Sequence, residues 1–175
     1  MRRDPDRPIA LIGLMGAGKS AVAHALGEQM AASVADLDAL LVADTGRTVA
    51  ELFAGEGELA FRRRESLVLR RALAAGARVL ACGGGVVLDP DNRRLLKEHC
   101  DVVWLEVSPR EAARRVDGDP TGRPLLEGGK PEAVLVRLLG EREVAYRETA
   151  TVRVSTDGRT PEEVASEVLD ALRGV

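Results

Sequence analysis

The sequence predicts a three-layer α/β/α fold built on a parallel sheet, and three observations carry that expectation. Short apolar runs recur at Ile9 to Ile12, Arg78 to Ala81, Val102 to Val107 and Thr151 to Val154, each separated from the next by segments with helical spacing. A glycine-rich segment, Gly13-Leu-Met-Gly-Ala-Gly-Lys-Ser20, stands between the first run and a stretch of good helix formers. The chain has 175 residues, 45% apolar and 30% charged, enough for one soluble globular domain spanning 1–175 with a core of its own.

Taken in order, Ile9 to Ile12 reads as a buried strand and Ala21 to Met30 as the helix that follows the glycine segment. The second strand rests on Ser33-Val34-Ala35 before Asp36, and its place between two helical segments supports it more than its composition does. A helix beginning near Glu58 carries an apolar stripe of Phe61, Val68, Leu69 and Ala72. Between Asp117 and Pro131 four glycines and three prolines interrupt the helical pattern, a connection too long to be plain, which predicts a mobile lid over about 117–130. The last helix starts at Pro161, with Thr160 as cap and Glu163 completing a capping box. No internal repeat and no second domain is visible.

Composition excludes several functions. Aromatic residues make up only 2% of the chain and the sequence pI is near 5.5, which argues against a nucleic-acid partner. Cys82 and Cys100 are too far apart for a C-x-x-C motif, and His24 and His99 are the only histidines, so neither a structural zinc nor a disulfide scaffold is expected. The apolar run after the charged N-terminus is too short for a signal-peptide core, and no run approaches membrane-spanning length, so the expected location is the cytoplasm. The preponderance of Arg over Lys reads as a trace of a GC-rich genome.

Gly13-x-x-x-x-Gly18-Lys19-Ser20 is a complete phosphate-binding loop between a strand and a helix N-terminus. Glycines let the backbone curl so that N–H groups face the phosphates, the helix dipole adds positive potential, Lys19 neutralises the terminal phosphates and Ser20 offers a hydroxyl to Mg2+. ATP or GTP is therefore the expected ligand. The only Asn, Asn92, is followed by Arg93-Arg94, so the guanine-specifying Asn-Lys-x-Asp loop of regulatory GTPases is absent. No His-Arg-Asp catalytic loop of a protein kinase exists either. What is left is phosphoryl transfer to a small acceptor under a lid that excludes water.

The acceptor site is expected at the carboxyl edge of the sheet. Asp36-Leu37-Asp38 offers two carboxylates at one strand-to-helix turn, suited to hold Mg2+ through its water shell and to accept the attacking hydroxyl's proton, or simply to cap a helix. Glu65 falls on the apolar stripe and wants a cation, with Arg62 three residues before it as candidate partner. The rest of the Arg62-Arg63-Arg64 run reads as a solvated face. Arg142 lies on the stripe of Leu135, Leu138, Leu139 and Tyr146, where a guanidinium needs a negative partner, either an internal carboxylate or one on a substrate. Gly83-Gly-Gly85 ends the third strand and permits close backbone approach of a ligand, or is a plain loop. Arg123, mid-lid, is placed to reach the transferred phosphate. His24 and His99 lack partners at useful spacing, Cys82 lacks a motif that would make it a nucleophile, and Trp104 reads as core.

With these residues assembled, the chain resembles the shikimate kinases. The likeness rests on the loop at 13–20, Asp36-x-Asp38, Thr45-Gly-Arg with Gly57-Glu-x-x-Phe-Arg62, Gly83-Gly-Gly85, Arg123-Pro-Leu-Leu126, and Arg142 to Tyr146-Arg147. It implies a five-stranded sheet of order 2-3-1-4-5, a monomer, and transfer of the ATP γ-phosphate to the 3-hydroxyl of shikimate with Mg2+, on the way to chorismate and the aromatic amino acids. It also implies Asp38 as base and hydroxyl ligand, with Lys19 and Arg123 beside it in catalysis, and Ser20 and Asp36 in the Mg2+ shell. Arg62 and Arg142 would grip the shikimate carboxylate while Gly84 and Gly85 line its pocket. The nucleotide set implied is Gly16, Ala17, Gly18, Lys19, Ser20, Ala21 and Arg123, with adenine between Arg115 and the segment from Arg159 to Pro161. Leu37 departs from the family's small polar residue at that place and is expected to pack inward.

Overall fold

The computed structural model describes residues 6–117, 126 and 129–174. Five parallel strands, β1 (Ile9–Ile12), β2 (Val34–Asp36), β3 (Val79–Ala81), β4 (Asp101–Glu106) and β5 (Val152–Ser155), form one sheet in the order β2-β3-β1-β4-β5. The expected topology is the observed one, and each strand lies within a residue or two of its sequence position. β1 runs between β3 and β4 in register, Ile9 opposite Val79 on one side and Asp101 on the other. All four β1 side chains are buried, as a central parallel strand covered on both faces requires.

Helices α1 (Lys19–Met30), α5 (Pro109–Val116) and α7 (Pro161–Arg173) contribute to one apolar layer, with Leu26, Ala112 and Val168 at full burial. Helices α2 (Leu37–Thr45), α3 (Val49–Ala74) and α4 (Pro90–His99) contribute to the other, around Leu37, Leu69 and Leu96. Leu37 is buried, as its alternation away from the paired aspartates requires. Helix α6 (Pro131–Thr149) serves both layers, sending Leu135 and Leu138 into the first and Tyr146 into the second. Its Arg142 is therefore carried across the carboxyl edge of the sheet.

Two helices start where local chemistry dictates rather than where apolar spacing begins. α1 starts two residues before the expected Ala21, because Gly18 takes φ 85° and turns the chain straight into the helix. α3 begins at a Thr48–Glu51 capping box, runs to Glu56, breaks at Gly57 (φ 80°, ψ 169°), and resumes at the expected Glu58. Arg47 and Arg64 converge on Glu56 just before the break, with N–O distances of 2.9 and 2.8 Å, and fix the angle between the arms. No helix among the described residues is long and apolar enough to cross a membrane.

Candidate active site

Among the described residues, the phosphate loop, the paired aspartates and the glycine turn follow β1, β2 and β3 at one edge of the parallel sheet. The loop after β1 curls through Gly13 and Gly16, where a Cβ would sit 2.5 Å from the Leu105 carbonyl oxygen and 2.8 Å from that of Ala112. α1 has no side-chain cap and no acidic residue in its first turn, so its N-terminal donors are left for an anion. Lys19 Nζ folds back over the loop and donates to the carbonyls of Gly13 (2.8 Å) and Leu14 (3.0 Å). Ser20 Oγ donates to Asp36 Oδ2 at 2.5 Å, while Asp36 Oδ1 accepts from the Asp38 and Ala39 amides at 3.1 Å. Asp36 thus caps α2 and faces the loop at once.

A cleft of about 330 Å³ connects these groups to the third strand, lined by Lys19, Ser20, Asp36, Asp38, Gly84 and Arg115 among others. At its acceptor end the side chains lie directly on the glycine turn. A Cβ on Gly83 would sit 2.2 Å from Glu65 Oε1, one on Gly85 2.3 Å from Arg62 Cζ, and one on Gly84 3.4 Å from Arg142 Nη1. The turn is therefore a floor for charged groups rather than a plain loop. Arg62 donates to Glu65 Oε2 at 3.0 Å, the pairing that the spacing predicts, and to Glu58 Oε1 at 3.3 Å. Its guanidinium also sits over the rings of Phe53 and Phe61.

Burial pushes the Glu65 carboxyl above the usual carboxylate range, while Arg62 draws it back; Asp38 adds to the rise and Arg142 opposes it. Glu65 Oε1 has no hydrogen-bond partner. Arg142 is 2% exposed, its Nε has no partner, and it is within ion-pair distance of no described carboxylate. Among the described residues, the internal carboxylate open to it from spacing is not found within ion-pair distance. A buried cation without an anion costs several kcal/mol unless a ligand completes it, on the order of the penalty for an isolated charge.

On the nucleotide side, Arg115 reaches across the fold. Nη1 donates to Gly16 O (3.1 Å) and Thr156 Oγ1 (3.0 Å), Nη2 to Thr156 O (2.6 Å), and Nε to Glu111 (2.9 Å). These bonds tie the phosphate loop to the turn before α7. Arg159 binds Ser155 O at 3.1 Å and pairs with Glu167 beside Pro161, the first residue of α7. Arg123 and most of the expected lid at about 117–130 lie outside the described residues. His24 and His99 are outside the cleft, Cys82 is buried with its thiol pushed well up by burial, and Trp104 is core. Sequence reasoning missed Glu58, Phe53, Thr156 and the hydroxyl of Tyr146, which donates to Gly84 O. Only Tyr146 carries a sequence signal, a polar tip one helical turn beyond Arg142 on the same stripe.

Comparison with known proteins gives the same picture from outside. A family model described as shikimate kinase matches residues 15–173. A shikimate kinase of Symbiobacterium thermophilum is 43% identical over 166 residues, covering 94% of this chain and 95% of its own. Among solved structures, shikimate kinase from Acinetobacter baumannii in complex with shikimate superposes with a TM-score of 0.90 at 36% identity, covering 94% of this chain and 91% of its own. A gluconokinase from Sinorhizobium meliloti shares the fold alone, with a TM-score of 0.58 at 20% identity over 97% of this chain and 93% of its own. The sheet order, the phosphate loop and the arginine-lined turn agree with a match that runs through nearly the whole sequence, and the chain belongs to the shikimate kinase family.

Proposed function

We propose that the protein transfers the γ-phosphate of ATP to the 3-hydroxyl of shikimate, giving 3-phosphoshikimate and ADP. The observation that carries this reading is Arg142, a buried guanidinium without an anion, next to the glycine turn at the far end of a cleft that begins at a phosphate loop. A carboxylated acceptor supplies the missing charge, and Arg62, held by Glu65 and Glu58, is a second donor to it. Asp38, which with Glu65 lies against Gly83, accepts the hydroxyl's proton as the oxygen attacks phosphorus. Lys19 leaves the loop carbonyls for the phosphates, and Gly16 to Ala21 wrap them. Arg115 and the Arg159–Pro161 segment flank the base.

Ser20 and Asp36 suit Mg2+, since a hydroxyl and one carboxylate beside a phosphate site leave the remaining positions to water and phosphate oxygens, as that ion prefers. When bound with ATP it neutralises charge on the phosphates. We take the protein to work as a monomer where ATP is kept, in the cytoplasm.

The test is ADP release with Mg-ATP and, in parallel, shikimate, gluconate and nucleoside monophosphates as acceptors. Turnover on shikimate alone is expected; turnover on gluconate instead would keep the fold and reassign Arg62 and Arg142. Two variants probe the halves separately. Gly85→Ala puts a methyl 2.3 Å from Arg62 Cζ, and since that is the end of a flexible side chain the guanidinium swings away and the fold survives. We expect KM for shikimate to rise about tenfold with KM for ATP unchanged, the cost of one misplaced charged hydrogen bond. Thr156→Val removes one acceptor from Arg115 without changing shape and is expected to raise KM for ATP about threefold to tenfold while sparing shikimate, as steady-state kinetics would read.

A further inference from the structure

We infer that Tyr146 is a positioning residue for the acceptor, locking the Gly83–Gly85 turn and the Arg142 guanidinium into one arrangement through its phenol oxygen. This rests on the reading of the cleft as the shikimate site. Tyr146 is fully buried on α6, one turn after Arg142, with its ring stacked on Trp104 of β4 (centroids 5.7 Å apart, planes at 27°). For packing alone a leucine would serve there, as Leu135 and Leu138 serve on the same stripe. The hydroxyl has a different use. It donates to the Gly84 carbonyl, 62 residues away in the chain.

The consequence follows from the rigidity of the peptide unit. Gly84 C=O and Gly85 N–H belong to one plane and point in opposite directions, so holding the oxygen aims the N–H. The Gly85 N–H makes no hydrogen bond to a described residue, whereas its neighbours do: Val86 N–H bonds to Gly83 O at 3.1 Å and Leu88 N–H to Gly85 O at 3.0 Å. Glycines have no side chains to hold the turn in place, so the grip must come from outside, and Tyr146 supplies it on the face away from the cleft. Arg142 Nη1 lies against Gly84, 3.4 Å from where a Cβ on it would sit, so holding Gly84 sets the separation between the turn's amide and the guanidinium, as a carboxylate with neighbouring hydroxyls needs. Burial pushes the phenol up to about 12, with Arg142 opposing, so it is protonated and able to donate throughout the neutral range.

Tyr146→Phe keeps the ring and its stacking and removes only the oxygen. We expect KM for shikimate to rise about tenfold, which is about 1.4 kcal/mol, with kcat and KM for ATP within about threefold. Amide exchange at Val86 and Leu88 should quicken in the ligand-free variant. Trp104→Phe, which keeps the oxygen and weakens the stacking, should do the reverse: a lower thermal midpoint with KM for shikimate within about twofold. Tyr146→Phe with an unchanged shikimate KM, with equal losses for shikimate and ATP, or too unstable to purify despite its retained ring would each overturn the assignment. If wild-type protein failed to use shikimate, the reading of the cleft would fall, and the exchange measurement would still decide whether Tyr146 holds the turn.

Discussion

Replacing Arg142 by methionine is expected to lower kcat/KM for shikimate by about 2 to 4 kcal/mol, roughly 30-fold to 1000-fold, with ATP affinity nearly unchanged. The same substitution should not lower the thermal midpoint, and the ligand-free protein is expected to gain stability. The two effects have one cause. Arg142 is buried at 2% exposure, with no ion pair to a described carboxylate and an Nε without a hydrogen-bond partner among the described residues. In the ligand-free protein its desolvation is opposed by the Glu65 carboxyl and the Tyr146 phenol, neither of which forms an ion pair with it. Methionine fills a similar volume without the charge. With the acceptor bound, the balance reverses, because a carboxylate meeting a desolvated guanidinium recovers what burial cost. Thermal unfolding with and without shikimate reads both signs: shikimate should raise the midpoint of wild type and leave that of the variant in place. A variant that lost stability and kept acceptor affinity would show Arg142 to be a structural cation.

Why the sequence disclosed some of this and not the rest is a matter of range. The strands were legible because buried parallel strands are short apolar runs, and the phosphate loop because its spacing serves backbone geometry directly. Arg142 and Glu65 stood out as charges on apolar stripes, a contradiction that only a partner resolves. The Arg62–Glu65 pair lies three residues apart on one helix, within reach of a local rule. Thr156 holding Arg115 and Tyr146 holding Gly84 join residues 41 and 62 positions apart, and no local pattern encodes which distant carbonyl a hydroxyl will find. The first arm of α3 was hidden for another reason. It is short and interrupted by Gly55 and Gly57, whereas the capping box at Thr48 and the ion pairs on Glu56 make it a helix that turns at Gly57.

Asp38→Asn should reduce kcat about 100-fold or more, the usual worth of a positioned general base, while the protein stays folded and binds ATP as before. The substitution keeps the side chain's shape in the first turn of α2 and leaves its backbone N–H on the Asp36 cap. Stability should move little, because loss of a favourable charge at a helix N-terminus is offset by relief of the repulsion that Asp38 exerts on buried Glu65. The kinetic constants then separate two roles that the geometry gives to the same carboxylate. Asp38 lines the cleft with Lys19 and Ser20, and its Oδ1 would lie 3.5 Å from a Cβ on Gly83, so it can both hold an acceptor hydroxyl and take its proton. An asparagine still hydrogen-bonds a hydroxyl but cannot accept the proton at neutral pH. A fall in kcat with a near-constant KM for shikimate therefore identifies the base. A rise in KM with kcat within about threefold of wild type would leave Asp38 as a ligand for the hydroxyls, and the proton would then leave with the phosphate rather than through this side chain.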